Sequence, residues 1–257
     1  MNSIERILDE VETLKRVGND FANQDQGSFV IATTHTQARY ALPKVLSEFT
    51  KRFPKVRVSI LQGNPSQIAQ MLLEDRTDLA IATEGLANTP GVLALPSYQW
   101  QHAIVVPSGH PILNHESITL EILAKYPLIT YAKAFSGRGK IDAAFAQRNL
   151  SPDIILEAID ADVIKTYVRL GLGVGIVAHM AYLDSDNDLV PIDAAHLFEM
   201  STTRILIRRE PQLQGYLHDF IETLAPHLTK ESIEKAQLMR DPKDQKSLFS
   251  RLKLPIY

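Results

Sequence analysis

The stretch Ile31-Ala32-Thr33-Thr34-His35-Thr36-Gln37-Ala38-Arg39-Tyr40 decides how the chain is read, because an apolar strand gives way to hydroxyls and an amide where a helix begins. Residues 29–32 read as a buried strand, while Tyr40, Leu42, Val45, Leu46, Phe49 and Phe53 recur at helical spacing. Thr34, Thr36 and Gln37 therefore occupy a strand-to-helix turn, where free backbone N–H groups and the positive helix end lie. Neutral donors beside those amides can replace the water shell of a small oxyanion. Plain N-capping is the competing reading. One Ser or Thr suffices for a cap, and three clustered donors exceed that need.

Outward from that stretch, short apolar strands alternate with amphipathic helices. Strands are predicted at residues 29–32, 56–61 and 79–82, with a helix reaching about residue 52 and another over 65–74, which implies a mainly parallel sheet. A second αβ unit follows, with strands at 104–106, 128–131, 154–159 and 174–178 and helices near 120–125, 138–148 and 160–170. Residues 203–208 alternate again before a helix that buries Leu213, Tyr216, Leu217, Phe220, Ile221 and Leu224, and this segment is expected to return to the first unit. The fold class is thus α/β with two Rossmann-like subdomains, 28–98 with 203–257 and 99–202. Crossings near 97–101 and 200–203 would leave a cleft where strand C-termini face each other, the usual ligand position in open α/β sheets. Ahead of this body, Ile4, Ile7, Leu8, Val11, Leu14 and Val17 form an apolar seam ringed by charge, predicting a linker or dimerisation helix within residues 1–27.

Composition narrows the function. A chain of 257 residues with 45% hydrophobic and 22% charged side chains is long enough for two ordinary lobes, and its balance excludes disordered and fibrous classes. A formal net charge of -3 and a pI near 6.2 supply no general field for nucleic acid or an anionic membrane. The sequence contains no apolar run of spanning length and no signal-like start, so a cytoplasmic protein is expected. The absence of cysteine removes disulfides, thiolate catalysis and Cys-based zinc sites together.

Thr83 ends the predicted strand at 79–82 and can point a hydroxyl into the same cleft as Thr34, or be an ordinary strand-end threonine. In the second unit, Tyr131 leads through Phe135-Ser136-Gly137-Arg138 into another helix, which makes Ser136 the natural opposite wall. The Gly139-Lys140 pair lacks the remaining residues of a phosphate loop, with Ala134 at the earlier glycine position and Ile141 after the lysine. Gly171-Leu172-Gly173-Val174-Gly175 follows a helix and precedes a strand, the reverse of a dinucleotide fingerprint, and reads as a helix stop and tight turn. Asp160 to Val168 reads as a helix with an acidic first turn, Lys165 one turn on and Thr166 as a lesser cleft candidate. Eight scattered histidines give no metal spacing, and no nucleophile elbow or acid–base pair emerges, so neither metal, cofactor nor enzyme activity is expected. Tyr98 and Trp100 sit at the first proposed crossing, where Trp100 fluorescence should report cleft closure.

The run from Thr33 to Tyr40 with Leu42-Pro43, Gln62-Gly63, Ala80-Ile81-Ala82-Thr83-Glu84, Phe135-Ser136-Gly137-Arg138 and Asp160 through Gly175 resembles the effector-binding region of LysR-type transcriptional regulators, most closely the CysB/Cbl branch. The resemblance spans nearly everything between Ser28 and His227. It implies a periplasmic-binding-protein-like (type 2) pair of lobes and regulation of sulfur-assimilation and cysteine-biosynthesis genes. It also implies a homodimer of sensor domains, a homotetramer when intact, and an N-terminal winged helix-turn-helix that reads promoter DNA. That DNA-binding module is expected to be missing here. Carried over by residue, the family's anion site falls on Thr34, Thr36, Gln37 and Thr83, with Ser136 where a threonine usually stands. The implied effectors are sulfate or a related sulfur anion, and acetylserine. A two-lobed solute-binding protein for sulfate-like anions is the alternative; the absent signal sequence and the Ile4–Val17 seam argue against it.

Overall fold

The computed structural model describes residues 26–83, 90–209, 213, 215–239 and 242–257. The helix expected around Ile4–Val17 and Glu84 of the Ala80–Glu84 motif lie outside the described residues. The chain opens with β1 (Gln26–Thr33), passes through a π-turn (Gln37–Ala41) into α1 (Leu42–Arg52), and continues as β2 (Lys55–Gln62), α2 (Pro65–Leu73), β3 (Leu79–Thr83) and β4 (Val92–Trp100). The next elements are β5 (His102–Pro107), α3 (Leu120–Leu123), β6 (Leu128–Tyr131), α4 (Ser136–Gln147), β7 (Ile154–Ala158), α5 (Ala161–Arg169), β8 (Val174–Ala178) and β9 (Leu189–Asp193). The chain then runs as β10 (Ser201–Arg208), α6 (Gly215–Leu224), α7 (Lys230–Leu238) and α8 (Pro242–Phe249).

These strands form two five-stranded sheets, β2-β1-β3-β10-β4 and β7-β6-β8-β5-β9. β1 is parallel to both β2 and β3, whereas β10 returns antiparallel between β3 and β4. The second sheet repeats the plan, with β6 parallel to β7 and β8 and β5 antiparallel to β8 and β9. The first core forms because α1 buries Leu42, Val45 and Phe49 on one stripe while α6 buries Tyr216, Phe220 and Ile221 on another. Phe29 of β1 joins them, its ring 5.6 Å from Phe49 and 5.2 Å from Phe220, both edge-on. Phe145 and Ile141 of α4 pack with Leu128, Val174, Ile176 and Phe198 in the second core.

β4 escaped the periodicity because it is buried on both faces and carries Pro96, a combination that suits an edge strand. Its length places Ser97 to Trp100 inside the first sheet, so Gln101 alone joins the two sheets at the first crossing; the second crossing occupies residues 194–200. The C-terminal segment, which had no assigned role in the sequence, pairs with this edge. The Gln99 N–H donates to Pro255 O at 2.8 Å, the Tyr257 N–H donates to Gln99 O at 2.8 Å, and the Tyr257 ring lies 4.5 Å from that of Tyr98.

The glycine run expected as a stop and turn does more than that. Gly171, at φ +73, ends α5, and its N–H donates to Val168 O at 2.8 Å. Gly175 lies within β8, where an added Cβ would sit 2.7 Å from methyls of both Val105 and Val168, so the missing side chain is what lets α5 lie on the sheet. Gly175→Ala is therefore expected to destabilise the protein by about 1–3 kcal/mol, read as a lower urea midpoint at unchanged slope. An unchanged midpoint would contradict this close packing.

Candidate functional site

Thr33 ends β1 with its hydroxyl donating to Ile81 O at 2.9 Å, which fixes the end of β1 beside β3. Thr34 therefore leaves the sheet next to Thr83, the last residue of β3. Across the gap β6 ends at Tyr131 and α4 begins at Ser136. Thr34, Thr36, Gln37, Thr83, Trp100 and Ser136 line one cavity, completed by Pro65, Tyr131, Phe135, Gly137 and Ala178. The non-protein space between these walls, open solvent included, is about 370 Å³. Among the described residues, no charged side chain is in those walls.

The capping reading of the first turn is not realised. Thr36 precedes the π-turn with no side-chain cap hydrogen bond, and Phe135 precedes α4 likewise. The hydroxyls of Thr34 and Ser136 make no hydrogen bond to any described residue. Two helix starts, one from each sheet, thus present first-turn amides and spare hydroxyls to the same cavity.

The walls behind these donors are held by a chain of side-chain hydrogen bonds. The Tyr98 hydroxyl donates to Gln37 Oε1, and Gln37 Nε2 donates to Thr203 Oγ1 at 3.5 Å. Thr203 Oγ1 lies 3.2 Å from Thr83 Oγ1, which in turn accepts from Trp100 Nε1 at 3.2 Å. Gln37 retains a second amide hydrogen for the cavity. Burial pushes the fully enclosed Tyr98 hydroxyl far above the ordinary phenol range, so it remains a donor. Tyr131 Oη accepts from the Ala178 N–H at 3.0 Å. Its pKa is raised to about 12 by burial, against downward pulls from Ala178 and Thr36.

Beneath Trp100 lies His102, fully buried, its ring 5.0 Å from that of Trp100 and 5.3 Å from Phe198. Neither ring nitrogen makes a well-formed hydrogen bond to a described residue. A Cβ on Gly137 would meet Trp100 Cη2 at 3.0 Å and His102 Nε2 at 3.3 Å, so glycine lets the start of α4 close over both rings.

Thr34, Thr36, Gln37, Thr83 and Ser136 thus come together, with Trp100 beside them. Tyr98 stands one layer behind, and Thr166 faces solvent, donating to Asp162 O of its own helix at 2.8 Å. Asp160 accepts from the Val163 N–H at 2.8 Å as the N-cap of α5. Sequence reading missed Thr203, whose register partners are Thr83 and Tyr98. Only the antiparallel return of β10 between β3 and β4 reveals it.

Comparison with known proteins identifies the architecture. The family model described as "LysR substrate binding domain" matches residues 22–229. The chain belongs to the LysR substrate-binding family. The domain is 56% identical to the transcriptional regulator CysB of Burkholderia cenocepacia, over 91% of this chain and 75% of the relative. It is 53% identical to SsuR of the same organism, over 93% of this chain and 77% of the relative, and 42% identical to the Cbl regulator of Escherichia coli, over 94% and 76%. Among solved structures, the cofactor-binding domain of the Cbl regulator superposes with a TM-score of 0.81 at 42% identity, covering 85% of this chain and 96% of that one. The LysR domain therefore has the two-lobed, periplasmic-binding-protein-like (type 2) fold and is the effector-binding part of a regulator related to CysB, SsuR and Cbl. Those relatives are transcriptional regulators, not enzymes, and no described helix is long and apolar enough to cross a membrane.

His102 gives the LysR domain a measurable acid dependence. Burial lowers its pKa from 6.5 to about 4, with Gly137 pulling upward and Lys140 downward. The unfolded chain binds the proton first, so stability is intact above pH 6.5 and declines as the pH falls towards 4, by about 3 kcal/mol. Across that window the stability of wild type relative to His102→Leu, measured by urea unfolding, should fall by that amount, because only the wild type carries the His102 contribution; a pH-independent difference would contradict the buried neutral imidazole.

Proposed function

We propose that the cleft binds a small oxyanion, either a sulfate-like sulfur anion or the carboxylate of acetylserine, as the effector of a regulator of sulfur-assimilation and cysteine-biosynthesis genes. The observation that carries this reading is the pair of helix starts without a side-chain cap, at residues 34–36 in the first lobe and at Ser136 in the second, facing one cavity with no charged side chain among its described walls. Thr34, Thr36, Gln37 and Thr83 supply donors from one side and Ser136 from the other. Five such hydrogen bonds, each on the order of 1.5–3 kcal/mol before desolvation and association costs, leave a net affinity in the micromolar to millimolar range suited to metabolite sensing. Ser136 keeps the hydroxyl of the threonine expected there and lacks its methyl.

A ligand held from both lobes favours the closed cleft to the extent that it binds that state more tightly. Closure is transmitted through a homodimer of sensor domains, within a homotetramer of the intact regulator, to promoter DNA in the cytoplasm. Exposed Val163, Tyr167 and Leu170 on or just past α5, with Ile155 of β7, offer an apolar face for a second copy. The similarity to regulators, with CysB of B. cenocepacia 56% identical, favours this reading over a solute carrier.

Calorimetric titration with sulfate and with acetylserine tests the site. Saturable binding of one of them is expected, weakened about tenfold or more in Thr36→Val and in Ser136→Ala. Absence of binding by both ligands, or unchanged affinity in both variants, would contradict the proposal.

A further inference from the structure

The π-turn that carries Gln37 into the cleft also carries Tyr40 out of its own lobe. Pro43 cannot supply the N–H that a regular helix would direct at Arg39 O, and its ring crowds that carbonyl. The chain instead closes a wider loop, in which the Leu42 N–H donates to Gln37 O. Tyr40 then packs against the second-lobe cluster around Tyr131, Ala161 and Ile164. Its hydroxyl donates to Asp162 Oδ1 at 2.6 Å.

Asp162 is held from several sides. Arg39 Nε lies 3.4 Å from Oδ2 and Lys165 Nζ 3.5 Å from Oδ1. His35 and Asp160 also face it, their ligand atoms within 4.8 Å. Burial works against the Asp162 charge, but the Tyr40 hydroxyl, Lys165 and Arg39 outweigh it and hold the carboxyl below its usual range. Lys165 is nearly fully buried, donating to Ala181 O and to Asp186 Oδ2, each at 2.8 Å, and its ammonium lies 5.4 Å from the centre of the Tyr40 ring. Neither Tyr40 nor Asp162 lines the cavity.

We propose that Tyr40 and Asp162 form a clasp between the lobes that positions the turn at residues 34–37 against Ser136, making both positioning residues for the effector without touching it. The proposal rests on the effector-site reading for its affinity consequence and on the apo structure for its mechanical one. A ligand that needs the closed cleft binds with an apparent Kd raised in inverse proportion to the closed fraction, so loosening the clasp weakens binding while every donor stays in place.

Tyr40→Phe removes one hydroxyl and keeps the ring, and Asp162 retains Arg39 and Lys165, so the variant is expected to fold, with a melting temperature lowered by about 2–4 °C. In ligand-free protein, hydrogen exchange across residues 34–41 should quicken several-fold in Tyr40→Phe and in Asp162→Ala. In titrations with sulfate and acetylserine, Tyr40→Phe should raise the Kd of the ligand bound by wild type about tenfold, and adding Tyr40→Phe to Asp162→Ala should raise it no further. Unchanged exchange overturns the clasp, and quickened exchange with unchanged Kd overturns its positioning role. If wild type binds neither sulfate nor acetylserine, the effector-site reading fails, and the exchange result alone upholds or overturns the clasp.

Discussion

The chain of hydrogen bonds from Tyr98 through Gln37, Thr203 and Thr83 to Trp100 is the constraint on which the cleft depends. It sits where the antiparallel return of β10 meets the parallel strands, and its members lie on four stretches of the first lobe, with Tyr98 and Trp100 both on β4. Thr203 is fully buried and serves as the node, so one hydroxyl ties the π-turn to the ends of β3 and β4. A half-satisfied network at this depth would cost more than an apolar one, which accounts for the close fit of five polar side chains in one sheet edge.

The electrostatic logic follows from that rigidity. An anion entering a cleft whose described walls hold no lysine or arginine must find fixed dipoles in place of water. The two helix starts provide them, and the phenols of Tyr98 and Tyr131 stay protonated because burial raises both. Three cationic side chains of the second lobe are occupied elsewhere. Arg138, at the start of α4, donates to Asp142, to Glu157 and to Tyr131 O, bracing that helix against the end of β6. Lys165 and Arg169 are both paired with Asp186.

Much of the fold was legible because the parallel halves of both sheets follow the strand-helix period plainly, as in Phe29, Leu42, Val45 and Phe49. The candidate donors were legible for a local reason, since Thr34, Thr36 and Gln37 fall in one turn and Ser136 in its counterpart. Thr203, Tyr131 and the Tyr40–Asp162 contact were not, because each gains its role from strand order or lobe closure rather than neighbours in sequence. The π-turn was also hidden: it leaves the apolar spacing of Leu42, Val45 and Phe49 intact and shows itself only in the Leu42 to Gln37 hydrogen bond.

Crystals of this domain grown with selenate, a sulfate analogue visible by its anomalous scattering, test the central claim most directly. The account places one selenium peak in the cleft, within hydrogen-bonding reach of Thr36 and Gln37 on one side and Ser136 on the other. A peak only on the outer surface, or a cleft holding nothing but water at saturating selenate, would contradict it.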